Sequence, residues 1–170
     1  MRPENLRRFI AIDPGDVHCG VAYFEDQECR WATEYSPSGL LLLLEDCRLG
    51  YGLGPNERAV DLQGLVVERF QLYGDRMGAQ VGSDMLTSQL IGALRLEADL
   101  AGWWMVQQQA ALKTPTENLI RHRGITLRSL GHGGHARDAE THGFTFLWKT
   151  SQNPNTDYNG GWTDAEDDDN

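Results

Sequence analysis

Acidic side chains end two apolar stretches of this chain, and a third acid lies near a histidine further along. Asp13 and Glu68 each follow an apolar run, while His135 and Asp138 are three residues apart. A carboxylate at the end of a buried strand is partly desolvated and needs a cation or a hydrogen-bond donor as its partner. Residues three apart on a helix share one face. Three oxygen ligands and an imidazole around one cleft are typical of a site for Mg²⁺ or Mn²⁺.

The reaction that such a site supports is phosphodiester hydrolysis. Two divalent ions about 3.5–4 Å apart can activate a water molecule and stabilise the leaving 3′-oxygen of an in-line displacement. The pattern therefore indicates a two-metal site, provided that the four side chains meet at one edge of a sheet.

Each of these side chains also has a purely structural interpretation. Asp13 precedes a Pro-Gly pair and could cap the turn of its own β-hairpin. Glu68 could form a surface ion pair with Arg69, and His135 could precede its helix without binding anything. These interpretations stay open unless the acids are brought together by the fold.

Hydrophobic patterning predicts the strands and helices that would position the acids. Ser36 followed by Pro37 is typical of a helix start, with Ser as the N-cap and Pro at the first helical position. Thr114 or Thr116 would cap a later helix in the same way. Strands are predicted at 9–12, 21–24, 28–34, 65–70 and 103–106, helices at 36–48, 83–101, 113–123 and 136–149, loops at 50–56 and 71–82, and a short strand or turn at 125–130.

Length and composition predict one domain followed by a tail. The 170 residues are enough for a sizeable core, which we assign to residues 1–150. The formal net charge is −10, but six acids lie in the last fourteen residues, and the rest carries fifteen basic against nineteen acidic residues. We therefore expect residues 151–170 to form a disordered acidic tail. The remaining surface permits DNA binding without predicting it.

Cysteine spacing and hydropathy restrict the class of protein and the compartment in which it acts. Cys19, Cys29 and Cys47 are odd in number and lack a Cys-x-x-Cys spacing, which fits a reducing cytosol and argues against a disulfide framework or a zinc knuckle. The apolar run 40–44 is far shorter than the roughly 18 residues of a membrane span. No signal peptide is recognisable, so we expect a cytoplasmic protein without a membrane partner. His132, His135 and His142 lack a cysteine nearby and are a poor zinc set. His142 shares a helix face with His135 and Asp138 and could contact the ligands, but we interpret it as a half-exposed helix histidine.

Four short motifs occur in a fixed order along the chain. They are Asp-Pro-Gly at 13–15, Gly-Val-Ala at 20–22, Val-Val-Glu ending at Glu68, and His-Ala-Arg-Asp at 135–138. Together, over residues 6–149, they resemble the RuvC-type Holliday junction resolvases of the RNase H-like superfamily, especially the short phage-encoded branch. The resemblance implies an α/β, RNase H-like fold in which helices flank a central mixed five-stranded sheet. Many relatives carry Asp-x-x-Asp at the last motif, where this chain carries His-x-x-Asp.

The resemblance also implies an activity and a catalytic set. The chain would be a metal-dependent endonuclease that cleaves four-way (Holliday) DNA junctions in recombination or phage DNA processing. Asp13, Glu68, His135 and Asp138 would be both the catalytic residues and the ligands of two Mg²⁺ or Mn²⁺ ions. Asp13 would bridge the ions, while His135 would ligate one of them or accept the proton of the attacking water.

Branched DNA and a second copy of the chain are the implied partners. The helix from Ser83 to Ala101 would form the homodimer, since its apolar residues lie on two faces, although core packing alone would also explain them. One stripe contains Leu86, Leu90, Ala93, Leu94 and Ala101, and the second face contains Ile91 and Ala98. Tyr73 is the foremost candidate for a DNA-probing aromatic, and Arg76 lies in the same loop. Lys113 and Arg137 are candidate phosphate contacts, although ordinary solvated charges remain an alternative. If the protein is phage-encoded, it would act in the bacterial host cytoplasm.

Three other functions are compatible with parts of this pattern. A nuclease of the same chemistry could act on flapped DNA or on an RNA–DNA hybrid, because substrate shape and phosphate chemistry are read by different residues. A non-catalytic RNase H-like nucleic-acid-binding module would have no need of three acids and a histidine at ligand spacing. An actin-like or sugar-kinase ATPase also uses an Asp-x-Gly hairpin, but it needs two such domains and more residues than this chain has.

Overall fold

The computed structural model describes residues 8–52, 61–69 and 86–152, which contain one five-stranded sheet flanked by four helices. The strands are β1 (Arg8–Asp13), β2 (Cys19–Glu25), β3 (Glu28–Tyr35), β4 (Gly64–Glu68) and β5 (Trp104–Gln108). The helices are α1 (Pro37–Leu49), α2 (Leu86–Ala101), α3 (Lys113–His122) and α4 (Gly134–Gln152).

The sheet is mixed, with strand order β3-β2-β1-β4-β5. Strands β1, β2 and β3 form an antiparallel meander, whereas β4 and β5 run parallel to β1. The carboxyl ends of β1, β4 and β5 therefore lie side by side at one edge of the sheet. In α/β sheets this edge is where ligands usually bind.

Alternating side chains divide β1 between two cores. Ile10 and Ile12 point to the face covered by α1 and α2, while Phe9 and Ala11 point to the face covered by α3 and α4. All four are fully buried, which explains why the strand sequence is continuously apolar and does not alternate between apolar and polar residues. Asp13 continues the series of Phe9 and Ala11, so it faces α4.

Helix α4 lies across the sheet and is buried along most of its length. Residues 139–146 are all buried, because the sheet covers one side of the helix while α3 and the segment after it pack on others. The helix can lie close to the sheet because residue 143 is a glycine. A Cβ added to Gly143 would lie 2.0 Å from the ring of Phe24. The fit explains why a glycine occupies the middle of a helix, where it costs about 1 kcal/mol relative to alanine.

Most predicted elements are confirmed, but several of their bounds and one helix cap were wrong. Ser36 caps α1 by accepting a hydrogen bond from the backbone N–H of Gly39 at 3.1 Å, as predicted. Strand β5 is shifted by one to two residues towards the C-terminus, and α4 begins two residues earlier than expected. Neither threonine caps α3, because its N-cap is Leu112, and Thr116 is buried against Thr145 instead.

Helix α2 presents apolar side chains on two sides, but the sides differ from those predicted. Leu90 and Leu94 are buried, whereas Leu86, which was assigned to the same stripe, is exposed. The exposed side also carries Leu96 and Leu100, which the stripe prediction did not include. Within the part of the chain that the structure describes, no helix is long and apolar enough to cross a membrane.

Candidate active site

Three polar side chains end the three parallel strands on the face that α4 covers. Asp13 ends β1, Glu68 ends β4 and Gln108 ends β5, and the register pairs Glu68 directly with Gln108. Because Ile12 pairs with Val67, the next residues on β1 and β4 are also neighbours. The strand alternation and the parallel register together bring these groups into one row.

The first turn of α4 is anchored against the antiparallel half of the sheet. The backbone N–H of His135 donates to a carboxylate oxygen of Glu34 on β3 at 3.1 Å, which satisfies one of the free N–H groups of the helix end. On β2, a Cβ added to Gly20 would lie 1.7 Å from the carbonyl oxygen of His135. A glycine at this position thus allows the helix to approach the strand opposite Asp13.

Asp13 and His135 form a close pair. Asp13 is 5% exposed, and its Oδ2 lies 2.6 Å from Nδ1 of His135. Burial raises the pKa of Asp13 to about 6; the hydrogen bond with His135 opposes this effect, and the neighbouring Glu68 carboxylate adds to it. When Asp13 is ionised and the ring is neutral, Nδ1 carries the proton and Nε2 of the half-exposed imidazole has a free lone pair.

Glu68 is held by a buried histidine and a lysine. Its Oε2 lies 2.7 Å from Nε2 of His142 and 3.0 Å from Nζ of Lys113. Burial acts to raise the pKa of Glu68, but the hydrogen bonds from His142 and Lys113 outweigh it and lower the pKa to about 2. Glu68 therefore stays ionised under mildly acidic conditions in which the adjacent Asp13, with its pKa of about 6, becomes protonated.

Gln108 fixes the orientation of the His142 ring. Its side-chain amide lies 3.1 Å from Nδ1 of His142, and both residues are buried. The atom of Gln108 next to Nδ1 is Oε1, and a neutral ring satisfies both contacts when this amide is turned over, so that its nitrogen donates to Nδ1 while Nε2–H donates to Glu68. A chain of hydrogen bonds thus links β5, α4 and β4.

Lys113 bridges two of the acids. Its ammonium donates to Oδ2 of Asp138 at 2.6 Å as well as to Glu68 at 3.0 Å. Burial acts to lower the pKa of Lys113, but the hydrogen bonds to Asp138 and Glu68 raise it above its ordinary value. The lysine gathers the helix carboxylate and the strand carboxylate around one positive charge.

The structure brings the four predicted catalytic residues into one cluster, with Asp13, Glu68, His135 and Asp138 linked by the contacts above. Lys113, which was predicted to contact phosphate, lies inside this cluster. Arg137 points to the other side of α4, where it pairs with Glu117 at 3.1 Å. The other two DNA-binding candidates, Tyr73 and Arg76, lie outside the described residues, as do Ser83 and the tail beyond residue 152.

Two members of this cluster were misjudged or missed in the sequence. His142 was interpreted as a half-exposed helix histidine, which is wrong, because it is fully buried. Its spacing of four residues from Asp138 and seven from His135 places it on their face, and the alternative interpretation, a contact with the proposed ligands, agrees with the bond to Glu68. Gln108 carried a weaker signal, since it is a polar residue at the end of a strand parallel to two others that also end in polar side chains.

The oxygen atoms of this cluster suit a divalent cation, but the side chains are not positioned to bind one. The acids offer oxygen ligands, which Mg²⁺ and Mn²⁺ prefer, and they already surround a cationic group. Among the described residues, however, no three His, Cys, Asp or Glu side chains are placed to hold one metal ion together. Lys113 lies between Glu68 and Asp138, so metal binding requires its ammonium to move.

The order of the strands, the crossing helix and the row of polar strand ends define an RNase H-like α/β fold, as predicted. RuvC of T. thermophilus in complex with Holliday junction substrate matches it with a TM-score of 0.60 and 14% identity, over 87% of this chain and 97% of that one. A second Thermus thermophilus RuvC structure matches with a TM-score of 0.50 and 14% identity, over 86% and 97%. No family model and no curated protein sequence matches this chain. The likeness establishes the fold.

Proposed function

We propose that this protein is a divalent-metal-dependent endonuclease that cleaves four-way DNA junctions. The observation that carries the proposal is the convergence of Asp13, Glu68 and Asp138 from two parallel strand ends and the helix that crosses them. A RuvC of the same fold has been solved with a Holliday junction substrate. Opposed strands of a four-way junction are related by two-fold symmetry, which suits cleavage by two copies of one active site.

Asp13, Glu68 and Asp138 are the proposed ligands of the metal ions, Mg²⁺ or Mn²⁺, two per site. When bound, the ions would stabilise the charge that develops on the attacking and leaving oxygens. Glu68 is suited to this role because His142 and Lys113 keep it ionised. Lys113 would leave the two carboxylates as the ions bind, which frees its ammonium to meet a phosphate oxygen of the substrate.

His135 is the proposed proton acceptor. Its contact with Asp13 fixes one ring nitrogen and leaves the other free, which is how a carboxylate orients a general base. The same contact would also orient the free nitrogen as a metal ligand, which is the alternative role of His135. Asp13 would then have two roles, as a ligand and as the group that orients the base.

The proposed assembly is a homodimer formed by α2. Leu86, Leu96 and Leu100 are exposed on one side of this helix, with the half-buried Ala93 between them. A stripe of large apolar side chains on a helix is typical of a protein interface. Leu96→Glu should convert the dimer to a monomer in light scattering, whereas Leu42→Glu, at an equally exposed position of α1, should leave it dimeric.

A panel of labelled substrates tests the activity. Four-way junctions, flaps, linear duplex and an RNA–DNA hybrid are incubated with the protein in Mg²⁺ or in EDTA. We expect paired cuts in the junction with Mg²⁺ alone. The variant Asp13→Asn should lose cleavage by at least about a thousandfold, as expected for the loss of a metal ligand from the reaction centre, and should still bind the junction. Wild-type cleavage by this variant would refute the assigned site.

A further inference from the structure

A groove separate from the carboxylate cluster lies between α3, the segment that follows it and the first turns of α4. Its volume is about 640 Å³, within the range of small-ligand sites. Ile120, Ile125 and Leu127 form apolar parts of its wall, and Leu130, which is 71% exposed, lies at its rim. The groove thus offers an apolar surface that is open to solvent.

The charge around this groove differs from that of the rest of the chain. Residues 118–137 contain four arginines and three histidines but no acid, in a protein with a net charge of −10. The carboxylate of Glu117 also lines the groove, where it pairs with Arg137 at 3.1 Å. Arg8, Arg30, Arg48 and Arg95 elsewhere each pair with a carboxylate. Among the described residues, no carboxylate forms an ion pair with Arg121, Arg123 or Arg128, and Arg121 lines the groove.

The groove adjoins the catalytic cluster through α4. Arg137 lines the groove, while its neighbour Asp138 bonds to Lys113 in the cluster. Gly133 and Gly134 form the groove wall directly before His135. The groove and the carboxylate cluster therefore share the first turns of α4.

We infer that the groove binds an unpaired nucleotide of the DNA strand that enters or leaves the cleavage site. Arg121 contacts a backbone phosphate, and the base lies against the apolar wall and Leu130. The inference rests on the proposed nuclease function and adds to it a subsite for unstacked DNA. Charge attracts the strand, and aliphatic contact with the base replaces the aromatic stacking that is usual in sites for single strands.

Binding measurements without cleavage test the subsite. The probe is a fluorescein-labelled twelve-residue oligothymidylate, titrated in EDTA at several salt concentrations. Arg121→Gln should weaken binding and reduce the slope of log K against log salt by about 0.7, the value for one lost phosphate contact on a single strand. Arg30→Gln, the matched exposed arginine on β3, should change neither quantity.

The apolar contact is tested with Leu130→Ser, an exposed position at which substitution leaves the core intact. This change should weaken binding severalfold at an unchanged salt slope. The weakening should vanish on an oligomer of abasic residues, which has no bases to contact the wall. Inorganic phosphate at the same ionic strength should not displace the oligomer, whereas displacement would show a simple anion site and overturn the inference.

Different results would refute the proposed subsite and the proposed nuclease function. If the wild-type protein cleaves junctions but Arg121→Gln and Leu130→Ser bind like Arg30→Gln, the subsite is refuted and the nuclease stands. If the wild type binds the oligomer through Arg121 and Leu130 but cleaves no substrate in Mg²⁺ or Mn²⁺, the groove binds DNA and the nuclease function is refuted.

Discussion

A buried histidine sets the position of the carboxylate that ends β4. His142 is fully buried, and its ring contacts both Gln108 and Glu68. The ring therefore holds the Glu68 carboxylate in one orientation. Groups that hold a metal ligand in place typically change metal affinity by 10- to 100-fold when removed. His142→Leu should therefore weaken Mn²⁺ binding by about that factor in calorimetry.

The matched control for this variant is His132→Leu, at an exposed position of the loop before α4. It should bind Mn²⁺ as the wild type does. A His142→Leu protein that melts cooperatively yet keeps wild-type Mn²⁺ affinity would show that the histidine serves packing alone.

Lys113 acts as the internal counter-ion of the cluster. Its ammonium lies 2.6 Å from Asp138 and 3.0 Å from Glu68, so removing it leaves two neighbouring carboxylates without their cation. Lys113→Met should lower the melting temperature in EDTA and raise Mn²⁺ affinity, because no ammonium competes for the ligands. Lys149→Met, at an exposed site on α4, should alter neither property. Weaker Mn²⁺ binding by Lys113→Met would contradict the competition.

The contact between β2 and the first turn of α4 positions half of the cluster. A Cβ at Gly20 would overlap the carbonyl oxygen of His135, with backbone atoms on both sides that cannot rotate away. Gly20→Ala should destabilise the fold by about 1–3 kcal/mol, the usual cost of overpacking. It should also displace His135 and Asp138, so that cleavage falls by more than the loss of folded protein explains.

Gly92→Ala is the companion variant, since a Cβ at Gly92 meets no atom within 4 Å. This helix position should gain about 0.4–1 kcal/mol on substitution, as expected for a glycine replaced by alanine where the backbone conformation suits both. Denaturant titration of the two proteins gives both values. Equal stabilities would show that the β2–α4 contact is loose.

Elements were easier to predict from the sequence than the contacts between them. The apolar runs at 9–12 and 65–67 and the Ser36 cap are local signals, so the strands and α1 follow from short stretches. The pairing of Lys113 with Asp138 joins residues 25 apart and depends on how α3 packs on α4. His142 was misjudged for the same reason: helical spacing gives the face of a side chain, but the covering element decides its burial.

The whole molecule carries a stability cost at its candidate active site. Asp13 is buried beside Glu68, and its raised pKa shows that the folded state disfavours the ionised form. An asparagine of the same shape carries no charge, so Asp13→Asn should raise the melting temperature in EDTA. Such a gain on removal of a functional group is the expected trade-off between stability and activity.

Metal binding should offset this cost in the wild type. A cation that binds only the folded state stabilises it by about 2.7 kcal/mol at a concentration of 100 Kd, which corresponds to roughly 5–11 °C in a domain of this size. Differential scanning fluorimetry with Mg²⁺ or Mn²⁺ should show this shift in the wild type and little of it in Asp13→Asn. Ca²⁺ and Na⁺ at matched ionic strength separate specific binding from general screening of the acidic surface. Equal shifts in both proteins would place the ion elsewhere, because Asp13 lies at the centre of the acids that converge on this edge of the sheet.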